Sequence, residues 1–204
     1  MKLFLDIETI PAAGEDIPTL KKLWQDAKAK NPQKDKKESD FENFFRNTSF
    51  QGEFGRIICI GYAIDNEKTE CLVGDEKEIL RKFWAIAKDA HLFVGHNLME
   101  FDLRFIFKRS IIHGIRPSRE ISFARYRSEP IFDTMKEWEK WGSQGVSLHR
   151  LTTALGITSP KEEGIDGSKV YDYFLAGKVD EIAEYCKRDV EATRAVYKRI
   201  TFQA

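Results

Sequence analysis

The sequence predicts an α/β domain in which a mixed β-sheet carries helices on both faces. Three observations lead there. A short apolar run at 1–11 ends in alternating acids, two β-rich runs over 56–73 flank a turn, and from 75 onward helical and strand patterns alternate. Crossovers of that kind put the first strand near the middle of the sheet, where the connections leave a crevice.

Lys2-Leu3-Phe4-Leu5 is apolar and β-competent, and Asp6-Ile7-Glu8-Thr9 continues it. Strand side chains alternate, so Asp6 and Glu8 share one face while Leu5 and Ile7 share the other. Two like charges side by side are costly unless a cation neutralises them or one takes up a proton. Taken alone, the stretch reads as a solvated strand end. An insertion follows, from 11 to about 55. Leu20, Leu23, Trp24 and Ala27 predict a helix over 18–30, stopped by Asn31-Pro32, and the charge run at 34–40 reads as a mobile, solvated loop. Phe41, Phe44 and Phe45 predict a short helix laid on the core. The insertion is either one wall of a site beside the acidic strand end or a surface excursion.

The run at 56–64, a turn at Asp65-Asn66 and the run at 68–73 form a hairpin. A helix over 75–89 carries Ile79, Leu80, Phe83, Trp84 and Ala87 on one face, and 91–95 is a short buried strand. A long helix from about 98 to 113 follows, then a basic linker at 116–127. Pro130-Ile131-Phe132-Asp133 is the last strand. Helices are predicted over 134–141, 147–155, 168–176 and 179–200, the second of these capped at Ser147 and ending at Gly156.

With 204 residues, 42% hydrophobic content and six prolines, the chain suits one globular domain spanning 1–204. Lysine plus arginine equals aspartate plus glutamate, at 33 each, so the protein does not coat long duplex by charge alone. A short stretch of nucleic acid held at a local patch fits. Cys59, Cys71 and Cys186 have neither metal-finger nor paired spacing and read as reduced, mostly buried thiols. No run approaches the roughly eighteen apolar residues of a membrane span, and no signal pattern opens the chain, which predicts a cytoplasmic protein without membrane partners.

Two further acids stand in telling surroundings. Asp102 follows Gly95-His96-Asn97-Leu98-Met99-Glu100-Phe101 in the first turns of a helix, where an acid is also favoured by the helix dipole. Asp189 lies in the last long helix, four residues after Tyr185, so the two project together. That face also carries Ile182, Cys186, Val190, Thr193, Val196, Tyr197 and Ile200. An aspartate inside a buried stripe needs a partner or a metal. Asp133 reads as a helix N-cap. His91, His96, His113 and His149 form no metal-spaced set.

Asp6-Ile7-Glu8, Asn97 with Phe101-Asp102, and Tyr185 with Asp189 resemble the three signature motifs of the DEDD superfamily of 3′-to-5′ exonucleases. The tyrosine four before the last aspartate marks the DEDDy branch, and the histidine variant is absent because Glu184 stands at its position. Within the branch the chain is similar to the predicted exonucleases related to the proofreading domain of B-family DNA polymerases. Phe132-Asp133-Thr134-Met135, Ser147-Leu148 through Leu155-Gly156-Ile157, and Gly164-Ile165-Asp166-Gly167 extend the likeness over nearly the whole chain. The insertion is the part it explains least.

This resemblance implies a ribonuclease H-like fold and a metal-dependent exonuclease. It would release nucleoside 5′-monophosphates from the 3′ end of single-stranded DNA. It implies two divalent cations, and an all-oxygen ligand set favours Mg²⁺ or Mn²⁺. Carried over residue by residue, Asp6 bridges both cations, Glu8 and Asp189 complete the one that holds the attacking water, Asp102 supports the second, and Tyr185 orients the water. Thr9 and Ile10 would meet the terminal sugar and base, with Asn97 and Phe101 lining the same pocket. Arg125 and Arg127 would hold phosphates and Tyr126 would stack on a single strand, unless that linker is an ordinary solvated loop. The partners implied are nucleic acid and a polymerase or repair complex acting in trans. The alternatives are a 3′-5′ exoribonuclease and an inert nucleic-acid-binding module.

Overall fold

In the computed structural model, which describes residues 1–30, 40–159 and 165–203, five strands form one sheet. They are β1 (Lys2–Ile10), β2 (Arg56–Ile64), β3 (Glu70–Val73), β4 (Leu92–Gly95) and β5 (Ile131–Asp133), in the order β3-β2-β1-β4-β5. The Asn31-Pro32 stop, residues 34–39 of the charge run and Gly164 lie outside the described residues. β1 runs antiparallel to β2 and parallel to β4, so the sheet is mixed and β1 is central, as the pattern predicts.

The helices are α1 (Ile17–Lys30), α2 (Phe41–Asn47), α3 (Glu76–Ala87), α4 (Asp102–Ile112), α5 (Thr134–Glu139), α6 (Leu148–Leu155), α7 (Val170–Leu175) and α8 (Val179–Ile200). Alternation along β1 divides the core between them. Leu3, Leu5 and Ile7 pack with Ile79, Leu80, Phe83 and Trp84 of α3 and Leu103 and Ile106 of α4. Phe4 packs with Val190 and Tyr197 of α8 on the opposite face, and Ile10 with Ile182 and Cys186. Asp6 and Glu8 fall between Phe4 and Ile10 and share the α8 face. No helix among the described residues is long and apolar enough to cross a membrane.

Several predicted boundaries move by a residue or more. α4 begins at Asp102 rather than 98, because Asn97 takes a left-handed backbone (φ 61°) and the chain turns before the helix. β3 begins at Glu70 rather than 68. α5 stops at Glu139, since Lys140 and Trp141 are left-handed. The 168–176 helix divides into a 3₁₀ turn (Gly167–Lys169) and α7.

Asp133 does more than cap α5. It ends β5 opposite Gly95, and its carboxylate accepts from Met135 N (3.1 Å) and Lys136 N (3.3 Å) of α5. It also accepts from Asn97 N and Met99 N (3.0 Å each), which fixes the turn leading into α4. Asp133→Ala would strand four amides around a buried site and is expected to cost roughly 2–3 kcal/mol, read as a lower urea midpoint. Asp133→Asn, keeping one acceptor oxygen, should lose less.

Candidate active site

The parallel ladder between β1 and β4 ends at Phe4 and Val94. Beyond it the β1 backbone is taken up by a side chain: Ile7 N donates to Asp102 Oδ1 at 3.1 Å. The first residue of α4 is thereby tied to the peptide between Asp6 and Glu8, and Asp102 is only 3% exposed. From the other side α8 crosses β1 and β2 and lowers Tyr185, Cys186 and Asp189 onto the same strand face. Cys186 Sγ lies 3.4 Å from both Asp6 O and Asp6 Oδ2. Oxygens of Asp6 and Glu8 and the Cys186 sulfur stand within 4.8 Å of one another.

The electrostatics record the convergence of all four acids. Burial lifts the Asp6 carboxyl well above the ordinary range, and the charges of Asp189, Asp102 and Glu8 lift it further. Glu8 is raised by burial, then by Asp189 and Asp102. Asp102 is pushed up to about 8, chiefly by burial and also by Asp133 and Asp189, against the lowering effect of backbone amides that include Ile7 N. Tyr185, buried against Asp189, Glu8 and Asp6 and hydrogen-bonded to Asp189, is held far above its usual value and stays a neutral phenol. Asp6, Glu8, Asp102, Asp189 and Tyr185, from three separate parts of the sequence, thus lie within electrostatic reach of one another beside the central strand.

The insertion is fastened to the strand end that carries the acids. Its 3₁₀ turn (Thr48–Phe50) is bound to the end of β1: Thr9 Oγ1 donates to Ser49 O (2.7 Å), and Ala12 N donates to Thr48 Oγ1 (3.0 Å). Phe50 is 67% exposed, and its ring centroid lies 6.4 Å from that of Phe101, which packs in turn on Phe105. Phe50 was not singled out by the sequence pattern; its only signal is an aromatic following the regular Phe41, Phe44 and Phe45 set.

One expected substrate contact is corrected. The Ile10 side chain is buried with Ile58, Ile165 and Val170 and faces the core rather than a ligand. Alternation along β1 keeps Ile10 on the α8 face with Asp6 and Glu8, and Ile165, Val170 and Ile182 cover it there. Arg127 lines a groove with Leu92, Phe132 and Tyr197. Leu92 pairs with Lys2, four residues before Asp6 and so about 13 Å back along the strand. Thr9 follows Glu8 in β1, Phe101 directly precedes Asp102, and Asn97 sits in the turn held by Asp133. Arg125 pairs with Glu100 at 3.3 Å and lines, with Tyr126, Lys136 and Trp141, a cavity of about 240 Å³ on the rim. The histidines are tied up structurally: His96 bonds Thr134 Oγ1 and Val146 O, His113 meets Glu76, His149 meets Ser159 and His91 meets the N-terminal amine.

Raised carboxyl pKa values have a definite consequence for stability. Between the unfolded Asp102 value of 3.8 and its folded value of about 8 the native protein holds more protons than the unfolded chain, so stability falls as pH rises through that window. Asp6 and Glu8 act in the same direction. In chelator, the melting temperature is expected to decline from pH 5 to pH 8, and Asp102→Asn should flatten the decline.

Residues 48–204 match the family model described as "Predicted 3'-5' exonuclease related to the exonuclease domain of PolB". That span contains Asp102, Tyr185 and Asp189, while Asp6 and Glu8 precede it. Among solved structures, the family B DNA polymerase from the hyperthermophilic archaeon Pyrobaculum calidifontis matches 98% of this chain with a TM-score of 0.68 at 16% identity. The likeness establishes the fold, and the chain corresponds to 24% of the polymerase's length. No curated protein matches. The sheet and helices have the ribonuclease H-like fold, and the chain belongs to the family of predicted 3′-5′ exonucleases related to the exonuclease domain of PolB.

Proposed function

We propose that the protein hydrolyses single-stranded DNA from its 3′ end and releases nucleoside 5′-monophosphates, with Asp6, Glu8, Asp102 and Asp189 holding two divalent cations. The observation that carries this reading is the meeting of those four acids beneath Tyr185. After burial, the strongest influences raising Asp6 and Glu8 are other carboxylates. A pocket of that kind fits cations, and its oxygen donors suit Mg²⁺ or Mn²⁺. When bound, such ions lower the pKa of water and stabilise a leaving oxygen.

The chain's own residues supply the positioning. Tyr185 is a neutral phenol hydrogen-bonded to Asp189, so it acts as a hydrogen-bonding group. Its role is to fix the attacking water in line with the scissile phosphorus. Attack breaks the bond from phosphorus to the 3′ oxygen of the penultimate nucleotide, which leaves with a proton. Phe50 and Phe101 offer ring faces on which terminal bases stack, a contact that tolerates any sequence. Thr9 and Asn97 border the terminal sugar. Arg125 meets a phosphate upstream of the cleavage point, on the strand's way out past Tyr126 and Trp141. A polymerase or repair complex working in trans would use this activity to remove mispaired ends.

The test is incubation of 5′-labelled single-stranded DNA and RNA with Mg²⁺ or Mn²⁺. A ladder shortening from the 3′ end of DNA is expected. A ladder on RNA alone reassigns the substrate, and cleavage in chelator sinks the reading. Asp189→Ala, still folded, should lose activity by more than about 100-fold. Tyr185→Phe should lose turnover by about 10- to 100-fold, as for one hydrogen bond to a charged group, while the Mn²⁺ dependence is kept. Charge reversal at Arg125 is expected to raise KM for DNA several-fold and weaken its salt dependence, whereas reversal at Arg127 should change neither.

A further inference from the structure

The three cysteines, dispersed in sequence, come together beside the acids. On the face of the sheet under α8, register places Glu8 opposite Cys59 and Asp6 opposite Gly61, while Gly61 in turn pairs with Cys71 of β3. Gly61 leaves a gap in that row, and Cys186 of α8 fills it. A Cβ at Gly61 would stand 2.9 Å from Cys186 Sγ. The sulfurs of Cys59, Cys71 and Cys186 consequently lie within 4.8 Å of one another.

We propose that Cys59, Cys71 and Cys186 form a three-thiolate site for a thiophilic d¹⁰ cation of the Zn²⁺ class, with Asp6 as its fourth ligand. Tetrahedral zinc with sulfur at about 2.3 Å sets its sulfurs about 3.8 Å apart, so closure requires side-chain shifts of about an ångström. A disulfide would demand far more, and it would use only two of the three. The donors come from two adjacent strands and a helix, an arrangement that surrounds a point rather than lining a surface. Gly61 N donates to Cys186 Sγ at 3.2 Å, the kind of amide contact that supports a metal-bound thiolate. Cys59 and Cys186 are buried while Cys71 is half-buried on the edge strand, which provides an entry path. Asp6 Oδ2 lies 3.4 Å from Cys186 Sγ but is not within 4.8 Å of the Cys59 and Cys71 sulfurs, so the Asp6 side chain must turn toward β2 to complete the tetrahedron.

Occupation of this site would withdraw Asp6 from the neighbouring oxygen-donor set. That consequence, unlike the binding itself, rests on the nuclease reading. Zinc would therefore act as a brake on cleavage supported by Mg²⁺.

The full chain, kept reduced with a phosphine, is titrated with Co²⁺ in excess Mg²⁺. One equivalent should produce a thiolate-to-cobalt charge-transfer band in the near ultraviolet, which Zn²⁺ then bleaches. Cys71→Ser, altered at a half-buried edge position, should bind more than about tenfold more weakly. In the unaltered chain Zn²⁺ should slow alkylation of Cys71 by iodoacetamide, read by intact mass. Absence of the band, an equal band in Cys71→Ser, or unchanged alkylation overturns the site. For cleavage, one equivalent of Zn²⁺ should slow the unaltered enzyme and spare Cys71→Ser; equal slowing of both overturns the assignment of Asp6. If neither protein cuts DNA the nuclease reading fails, and the band still decides the thiolate site.

Discussion

Asp6, Glu8, Asp102 and Asp189 lie within electrostatic reach of one another where water is scarce, and each charge makes the next harder to form. Such an arrangement opposes folding, and the scaffold around it is correspondingly over-determined. Asp6 and Glu8 sit on the central strand, paired with β2 along nearly its whole length. Asp102 is fastened to that strand through Ile7 N. Asp189 is carried by the longest helix, which is anchored at both ends: Ile182 and Cys186 pack on one side of it in sequence, Val190 and Tyr197 on the other. Apolar burial on both faces of the sheet offsets the strain of the acidic pocket. No single local interaction could hold it.

Much of this was legible because strand and helix periodicities fix direction. The alternation of Asp6 and Glu8 with Leu5 and Ile7 assigned the acids to one face, and the four-residue spacing of Tyr185 and Asp189 did the same on α8. Caps were legible for a chemical reason: Asp133 and Ser147 each hold free amides at a helix start, and Gly156 adopts the left-handed backbone that ends α6. What periodicity cannot register is an extra residue. Ile58 bulges from β2 and shifts its register against β1 between Glu8 and Thr9; Ile10, on the face of the acids, is covered by Ile165, Val170 and Ile182, residues far along the chain whose placement no local pattern gives.

The hairpin shows the same limit more sharply. A two-residue turn at Asp65-Asn66 would pair Ile60 with Cys71 and send Cys71 to the face away from Cys59. The actual connection spans 65–69 and pairs Gly61 with Cys71. A slip of one residue exchanges the two faces of a strand, so the cysteine cluster depends on loop length, which sequence patterns do not fix. The insertion was undecidable for another reason. Its place in the site depends on Ser49 O and Thr48 Oγ1 meeting β1, contacts made by groups common to any polar loop.

Gly61 draws these threads to one position. Opposite Asp6 on one side and Cys71 on the other, it is the only residue of that cross-strand row without a side chain. A methyl group there would press on Cys186 Sγ, on its carbonyl oxygen at 3.1 Å and on Val190 at 3.1 Å. The helix would have to lift, and overpacking of that kind costs about 1–3 kcal/mol. Tyr185 and Asp189 would move with it, since they ride on the same turns as Cys186 and Val190. The distance of α8 from the sheet is thus set by a missing side chain, and that distance decides at once whether the four acids share a pocket and whether the three sulfurs do. Hard and soft donor sets are neighbours here because one glycine lets a single helix close over both.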